Sequence, residues 1–253
     1  MSALLKKEKP LLELKGIFKN FGGVVAASDI NVELFGGEVF GLIGPNGAGK
    51  TTIVNMITGI YQADKGKIFL NGKDITKMPT YKRARFGIAR SFQHPRLLDR
   101  CDIHTNIQMG VDLADKRAKA KEGGRQEDIA LLLKAAALDK VDLSQNISKL
   151  SYGQEKLLEL VRAILSEPYV LLLDEPAAGL NRREMDYVGA LIALAVEKGI
   201  AVLLIEHAMD FVMSVCHRIT VLNFGHQIAD GTPAEIQANQ AVIDAYLGGD
   251  TDA

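Results

Sequence analysis

The sequence predicts an α/β fold, a sheet covered on both faces by helices, with a helical subdomain inserted into it. The apolar runs YVLLL, AVLLI and ITVLN, separated by helix-like stretches, predict the sheet. Runs that are apolar at every position, rather than every second one, suit strands buried on both faces. The insertion is predicted by composition. From about Lys82 charged helical segments such as EDIALLLKAAALDKV take over, and the strand pattern returns only after Leu165. One domain over 10–253 follows, with its core in 10–92 and 166–253 and the helical subdomain in 93–165.

The elements follow in order. LLELKGIFKNFGGVVAASDINVELFGGEVFGLIG alternates β-rich runs with glycine turns, as strands joined by tight loops do. EVFGLI enters a glycine loop, and TTIVNMITGI continues as a helix with Ile53, Ile57 and Ile60 on one side. GKIFLNGKDIT is a strand and a turn, and a Gly-Gly and basic run over Lys116–Arg125 divides the charged helices of the insertion. Beyond the insertion, helices are expected near Arg182 and over Met209–Val215. The tail TPAEIQANQAVIDAYLG opens on a Thr-Pro start signal and should form one or two short helices.

Composition limits the function classes. The chain has 253 residues, with 30 Lys+Arg against 31 Asp+Glu, so no global charge draws it to nucleic acid. Cys101 and Cys216 have no zinc-like spacing and fit a reducing compartment. The start MSALLKKEKP lacks an apolar signal region, and the apolar runs are too short to span a bilayer, although the mean hydropathy is +0.07. The expectation is a cytoplasmic protein that reaches a membrane only through a partner.

GPNGAGKT, Gly44 to Thr51, has the spacing G-x-x-x-x-G-K-[ST] between a predicted strand and a predicted helix. Gly44, Gly47 and Gly49 let backbone N–H groups converge on phosphate oxygens at the positive end of the new helix. Lys50 should reach the β- and γ-phosphates, and the Thr51 hydroxyl should ligate Mg²⁺. LLLDEP ends a second apolar strand on two carboxylates. Asp174 suits the metal's water shell, and Glu175 suits polarisation of the attacking water. His207 closes the strand AVLLIE and could contact the γ-phosphate; a satisfied structural histidine is the plainer reading. His94, His104, His217 and His226 have no comparable placement. Gln93, in ARSFQHPRLL, stands between core and insertion, where a side chain could report nucleotide state to the lobe.

LSYGQEKLLELVRAIL carries a second glycine turn. Ser151 and Gln154 have capping-box spacing, and Leu157, Leu158, Val161, Ile164 and Leu165 form one apolar stripe. A cap does not require Gly153, and it leaves N–H groups of the helix start free for an anion. With the first loop already serving this chain's nucleotide, a head-to-tail pair of domains would give the second loop a neighbour's phosphate.

In this order GPNGAGKT, Gln93, LSYGQ, LLLDEP and His207 resemble the ATP-binding subunits of ABC transporters, over almost the whole chain. The resemblance implies a P-loop NTPase core of ABC type with an antiparallel β subdomain and the inserted helical subdomain. It implies an ATPase whose sandwich dimer closes on two ATP molecules and drives two integral membrane permease subunits from the cytoplasmic face of the plasma membrane. It implies ATP contacts from Gly44, Pro45, Asn46, Gly47, Ala48, Gly49, Lys50, Thr51 and Thr52, and, across the dimer, from Ser151, Gly153 and Gln154. Glu175, His207 and Gln93 are then the catalytic set, and Thr51, Gln93 and Asp174 the Mg²⁺ set. Phe21 lies where the family stacks an aromatic on adenine, with Phe18 as rival; Tyr152, often glycine in the family, has no assigned role.

DEPAAGLN, FGGVVAASDINVEL, SFQHPRLL and the ending DGTPAEIQANQAVIDAYLG resemble the LivG type, which serves leucine, isoleucine and valine import. That implies a second ATPase of LivF type, or a second copy, and an external solute-binding protein as indirect partner. Import of urea, amides or another small solute, and a lipopolysaccharide-type export ATPase, are the alternatives. Two departures stand out: Ala208 where the family often has aspartate, and a short segment over Gly110–Gln126.

Overall fold

The computed structural model describes residues 9–117 and 125–247, so most of the Gly-Gly and basic run lies outside the described residues. The chain begins with strands β1 (Leu12–Phe21), β2 (Val24–Leu34) and β3 (Val39–Ile43), then helix α1 (Lys50–Thr58). β4 (Lys65–Leu70), β5 (Lys73–Asp74), α2 (Thr80–Phe86) and β6 (Ile88–Arg90) follow. The next stretch is helical: α3 (Ile103–Asp115), α4 (Arg125–Ala135), a 3₁₀ turn over Ile147–Lys149, and α5 (Tyr152–Leu165). The sheet resumes with β7 (Val170–Asp174), and α6 (Arg182–Glu197), β8 (Ala201–Ile205), α7 (Met209–Val215) and β9 (Arg218–Asn223) continue it. β10 (His226–Gly231), α8 (Pro233–Gln237) and α9 (Gln240–Leu247) end the described chain.

Two sheets form. The smaller, antiparallel one has the order β2-β1-β4-β5, and the larger has the order β10-β9-β3-β8-β7-β6. From β9 to β6 the larger sheet is parallel, and β10 joins its edge antiparallel. Alternate residues of its strands feed two cores. Ile43, Leu171, Leu173, Val202 and Leu204 pack towards α3, α5 and α6, whereas Phe40, Leu42, Leu172, Leu203 and Ile205 pack towards α1 and the smaller sheet. Both faces are thereby covered, as runs without alternation require.

Three local expectations are corrected. The helix through TTIVNMITGI ends at Thr58, where Gly59 turns left-handed, so Ile60 leaves the apolar face and is exposed. EDIALLLKAAALDKV is not helical throughout; α4 stops at Ala135, and Ala137 has φ +53°. The charged composition from Lys82 does not end the sheet, because β6 follows it and pairs parallel with β7. The tail forms its two helices, and Thr232 and Glu235 close a capping box around Pro233.

Candidate nucleotide site

The glycine loop Gly44–Gly49 joins β3 to α1. At Gly49 φ is +104°, and a Cβ there would lie 2.2 Å from the carbonyl oxygen of Ala26, so only glycine lets the loop pass β2 this closely. Gly49 caps α1 without a side-chain hydrogen bond, and no acidic residue occupies the first turn. The positive end of the helix and its orphan N–H groups are therefore left to a ligand. Lys50 is buried, and its Nζ donates to the carbonyls of Gly44 (2.6 Å) and Pro45 (2.9 Å). Burial lowers its pKa; the charges of Glu175 and Asp174 act the other way. Asn46 and Gly47 are exposed at the crest, while Ala48 is buried and accepts from the Gly225 N–H at 3.0 Å. Thr51 is exposed and Thr52 half-buried on the first turn of α1.

The carboxylates stand at the C-terminal edge of the parallel strands, beside this loop. Asp174 Oδ2 accepts from Arg90 at 2.6 Å, and the same guanidinium donates to Asn55 Oδ1 of α1 at 2.8 Å. Glu175 has φ +52°, and its N–H donates to the Ile205 carbonyl at 2.9 Å. That turn aims its side chain at two other residues. Gln93 Nε2 donates to one carboxylate oxygen at 3.0 Å, and His207 Nε2 lies 3.2 Å from the other. Gln93, Glu175 and His207 thus meet at one carboxyl group.

Beneath them lie residues to which the sequence reading gave no role. Buried Lys156 donates to the carbonyls of Glu175 (3.0 Å), Pro176 (3.4 Å) and Ala178 (2.8 Å). Buried Glu206 accepts from the N–H groups of Ala177 (2.7 Å), His207 (2.9 Å) and Ala208 (3.4 Å). Ala208 itself gives α7 no side-chain cap. Glu159 accepts from Phe92 N (3.2 Å) and Arg96 N (2.7 Å), and burial raises its pKa against those bonds. In sequence Lys156 and Glu159, three positions apart on α5 beside Gln154, Glu155 and Arg162, read as part of a solvated polar edge and gave no signal.

The second glycine turn is self-capped. Gln154 N donates to Ser151 Oγ at 3.2 Å, and Ser151 N donates to Gln154 Oε1 at 3.0 Å. Among the described residues no hydrogen bond uses the N–H of Tyr152 or Gly153, and none joins Ser151, Gly153 or Gln154 to Gly44–Thr52. A Cβ at Gly153 would lie 2.1 Å from Glu184 Oε1, so the side chain that caps α6 would have to shift. Phe21 is exposed at the end of β1, edge-on to Tyr61 at 5.2 Å between ring centroids, while Phe18 is half-buried.

Comparison with known proteins agrees with this geometry. A family model described as ABC transporter matches residues 27–178, and one described as Branched-chain amino acid ATP-binding cassette transporter matches residues 226–252. The high-affinity branched-chain amino acid transport ATP-binding protein BraF of Pseudomonas aeruginosa is 41% identical over 251 residues, covering 95% of this chain and 98% of BraF. LivG of Escherichia coli K12, with the same description, is 39% identical over 251 residues, at the same two coverages. A crystal structure of an ATP-binding cassette of an ABC transporter in its ADP conformation superposes with a TM-score of 0.81 at 30% identity, over 95% of this chain and 100% of that one. A nucleotide-free cassette gives 0.77 at 29% identity, over 94% and 99%. With a glycine loop built for phosphate and these matches along its length, the chain belongs to the ABC transporter family, as an ATP-hydrolysing ATP-binding subunit.

Proposed function

We propose that the chain powers import of branched-chain amino acids, working peripherally at the cytoplasmic face of the membrane. The observation that carries the substrate class is the match of residues 226–252 to the branched-chain family model. The similarity to BraF and LivG over nearly the whole chain supports it. The working unit is a pair of ATPases, this chain with a LivF-type partner or a second copy, on two permease subunits fed by an external solute-binding protein. The free N–H groups of Tyr152 and Gly153 support Ser151–Gln154 as the place where the partner's ATP is met. A groove of about 300 Å³ lined by Ile60, Ala84, Phe92, Met109 and Leu113, beside the Gln93 loop, supports docking of a cytoplasmic permease segment. No helix among the described residues is long and apolar enough to cross a membrane, and in this reading the permeases supply the passage.

The roles follow from the chemistry of each group. Phe21 stacks on adenine, Gly44–Gly49 and Thr52 cradle the phosphates, and Lys50 neutralises charge on the β- and γ-phosphates. Glu175 accepts a proton from the attacking water, and Gln93 and His207 hold that carboxylate from both sides. The donor set fits Mg²⁺, a hard cation usually held by one or two carboxylates plus substrate phosphates. Thr51, Asp174 through the oxygen that Arg90 leaves free, and the Gln93 amide oxygen would hold it, and when bound it would offset phosphate charge.

The test is uptake of labelled leucine, valine and urea in cells carrying this chain, its Lys50→Ala variant, or neither. Branched-chain uptake should require the intact chain and fall to background with Lys50→Ala. Uptake of urea alone, or equal leucine uptake in all three, would reject the substrate assignment.

A further inference from the structure

Tyr152, like Gly153, takes no part in the capping box that Ser151 and Gln154 close at the second glycine turn. Its hydroxyl donates to the main-chain carbonyl of Gln93 at 3.0 Å. Its ring lies against Gly179, where a Cβ would come within 3.1 Å of the ring edge and where φ is +77°. Lys156, one turn along α5, sits 5.5 Å from the ring centroid and holds the carbonyls of Glu175, Pro176 and Ala178. Burial, then the charges of Glu155 and Glu159, raise the phenol's pKa, so the hydroxyl stays a donor at every physiological pH.

The bond has a direction. Gln93 is gripped at both ends, its carbonyl by Tyr152 and its side-chain amide by the Glu175 carboxylate. On the other side, Tyr152 is the first residue of α5, next to Ser151, and among the described residues its own N–H and that of Gly153 make no hydrogen bond. A movement of the α5 start has a continuous bonded route to the carboxylate: Tyr152 hydroxyl, Gln93 main chain, Gln93 amide, Glu175. In the proposed pair, a phosphate seated on Ser151 by the partner would produce that movement, so the inference rests on the roles proposed above for Ser151 and Glu175.

We infer that Tyr152 is a positioning residue that ties the anion-binding start of α5 to Glu175 through Gln93, so that the partner's ATP at Ser151 aligns the hydrolytic carboxylate of this chain's own site. The tyrosine is then needed for its hydroxyl, beyond the space its ring fills. Glycine at the same position would leave the two sites without this bond.

The test is a double-mutant cycle on ATP hydrolysis by the full chain, assembled with whatever subunits it needs for activity, comparing Tyr152→Phe, Gln93→Ala and the double variant. Tyr152→Phe keeps the ring and removes one neutral hydrogen bond, so kcat should fall about three- to tenfold, with KM for ATP changed less than about twofold. In the Gln93→Ala background the same change should cost less than about 1.5-fold, because the route to Glu175 is already cut. Losses that multiply independently, or a wild-type kcat in Tyr152→Phe, would overturn the inference. Glu175→Gln, run in parallel, separates the two readings: if it hydrolyses normally, the role of Glu175 falls first, whereas if it is inactive, the cycle judges Tyr152 alone.

Discussion

At Glu175 a single residue combines strain, positioning and chemistry. A non-glycine residue at φ +52° costs about 1–3 kcal/mol, and the surrounding contacts must hold it there. The Ile205 carbonyl fixes its N–H, Lys156 fixes its carbonyl, and Gln93 and His207 fix its carboxylate. Glu175→Gln preserves the shape and the bond from Gln93 but removes the proposed base. Hydrolysis should fall at least about 100-fold while ATP is still bound, checked by phosphate release alongside retention of labelled nucleotide. A variant that releases phosphate at the wild-type rate would remove Glu175 from the mechanism. Gly153 shows the limit of reading one residue at a time. The sequence suggests a glycine kept clear for a phosphate, yet its missing Cβ also makes room for the Glu184 side chain that caps α6.

At the scale of elements, α1 and α5 divide the work by how their ends are satisfied. The start of α1 is left uncapped, as the phosphate role proposed for it requires, and its other end is closed by Arg83, which is 1% exposed. The Arg83 guanidinium donates to the carbonyls of Met56 (2.6 Å) and Ile57 (2.9 Å) in α1, and to those of Thr76 (2.8 Å) and Met78 (2.7 Å). Arg83→Met keeps the apolar stem but strips this donor from four carbonyls. A loss of about 3 kcal/mol is expected, or roughly 6–12 °C in Tm, measured by thermal denaturation. A shift under about 2 °C would mean that water serves those carbonyls equally well. For α5 the apolar stripe was legible from spacing, and Leu157, Leu158, Val161 and Ile164 are buried as a period of 3.6 requires. Its other face was not legible. Tyr152, Lys156 and Glu159, at i, i+4 and i+7, look like a solvated polar edge in sequence, but each reaches into the Gln93 loop or the loop after Glu175.

Across the whole molecule, pH acts through carboxylates of opposite kinds. Asp64, Asp74, Asp102, Asp142 and Glu235 are held below their ordinary range by hydrogen bonds from Lys19, Thr76, Thr105, Ser144 and Thr232 respectively. Groups depressed on folding add stability above their unfolded pKa values and lose it as pH falls through the folded ones. Burial raises Glu155 and Glu159, which act in the opposite sense. With five such groups against two among the described residues, Tm should hold near neutral pH and fall below about pH 4, followed by calorimetry from pH 3 to 7. A Tm that rises between pH 5 and 3 would show that Glu155 and Glu159 dominate.

Although β6 and β10 were not legible in it, the sequence itself determined the strands β1–β4 and β7–β9, the burial of the sheet on both faces and the glycine loop. Their causes are local: apolar periodicity, glycine at close approaches, and caps three residues apart. Tertiary structure decided what meets Glu175. Gln93 and Tyr152 are 59 positions apart, Gln93 and Glu175 are 82 apart, and nothing in their spacing relates them. Parallel pairing of β6, β7 and β8 brings their C-terminal ends to one edge, and the packing of α5 against that edge selects the contacts. Side chains so far apart along the chain become neighbours only through burial of the sheet, a non-directional force that single-residue patterns do not record.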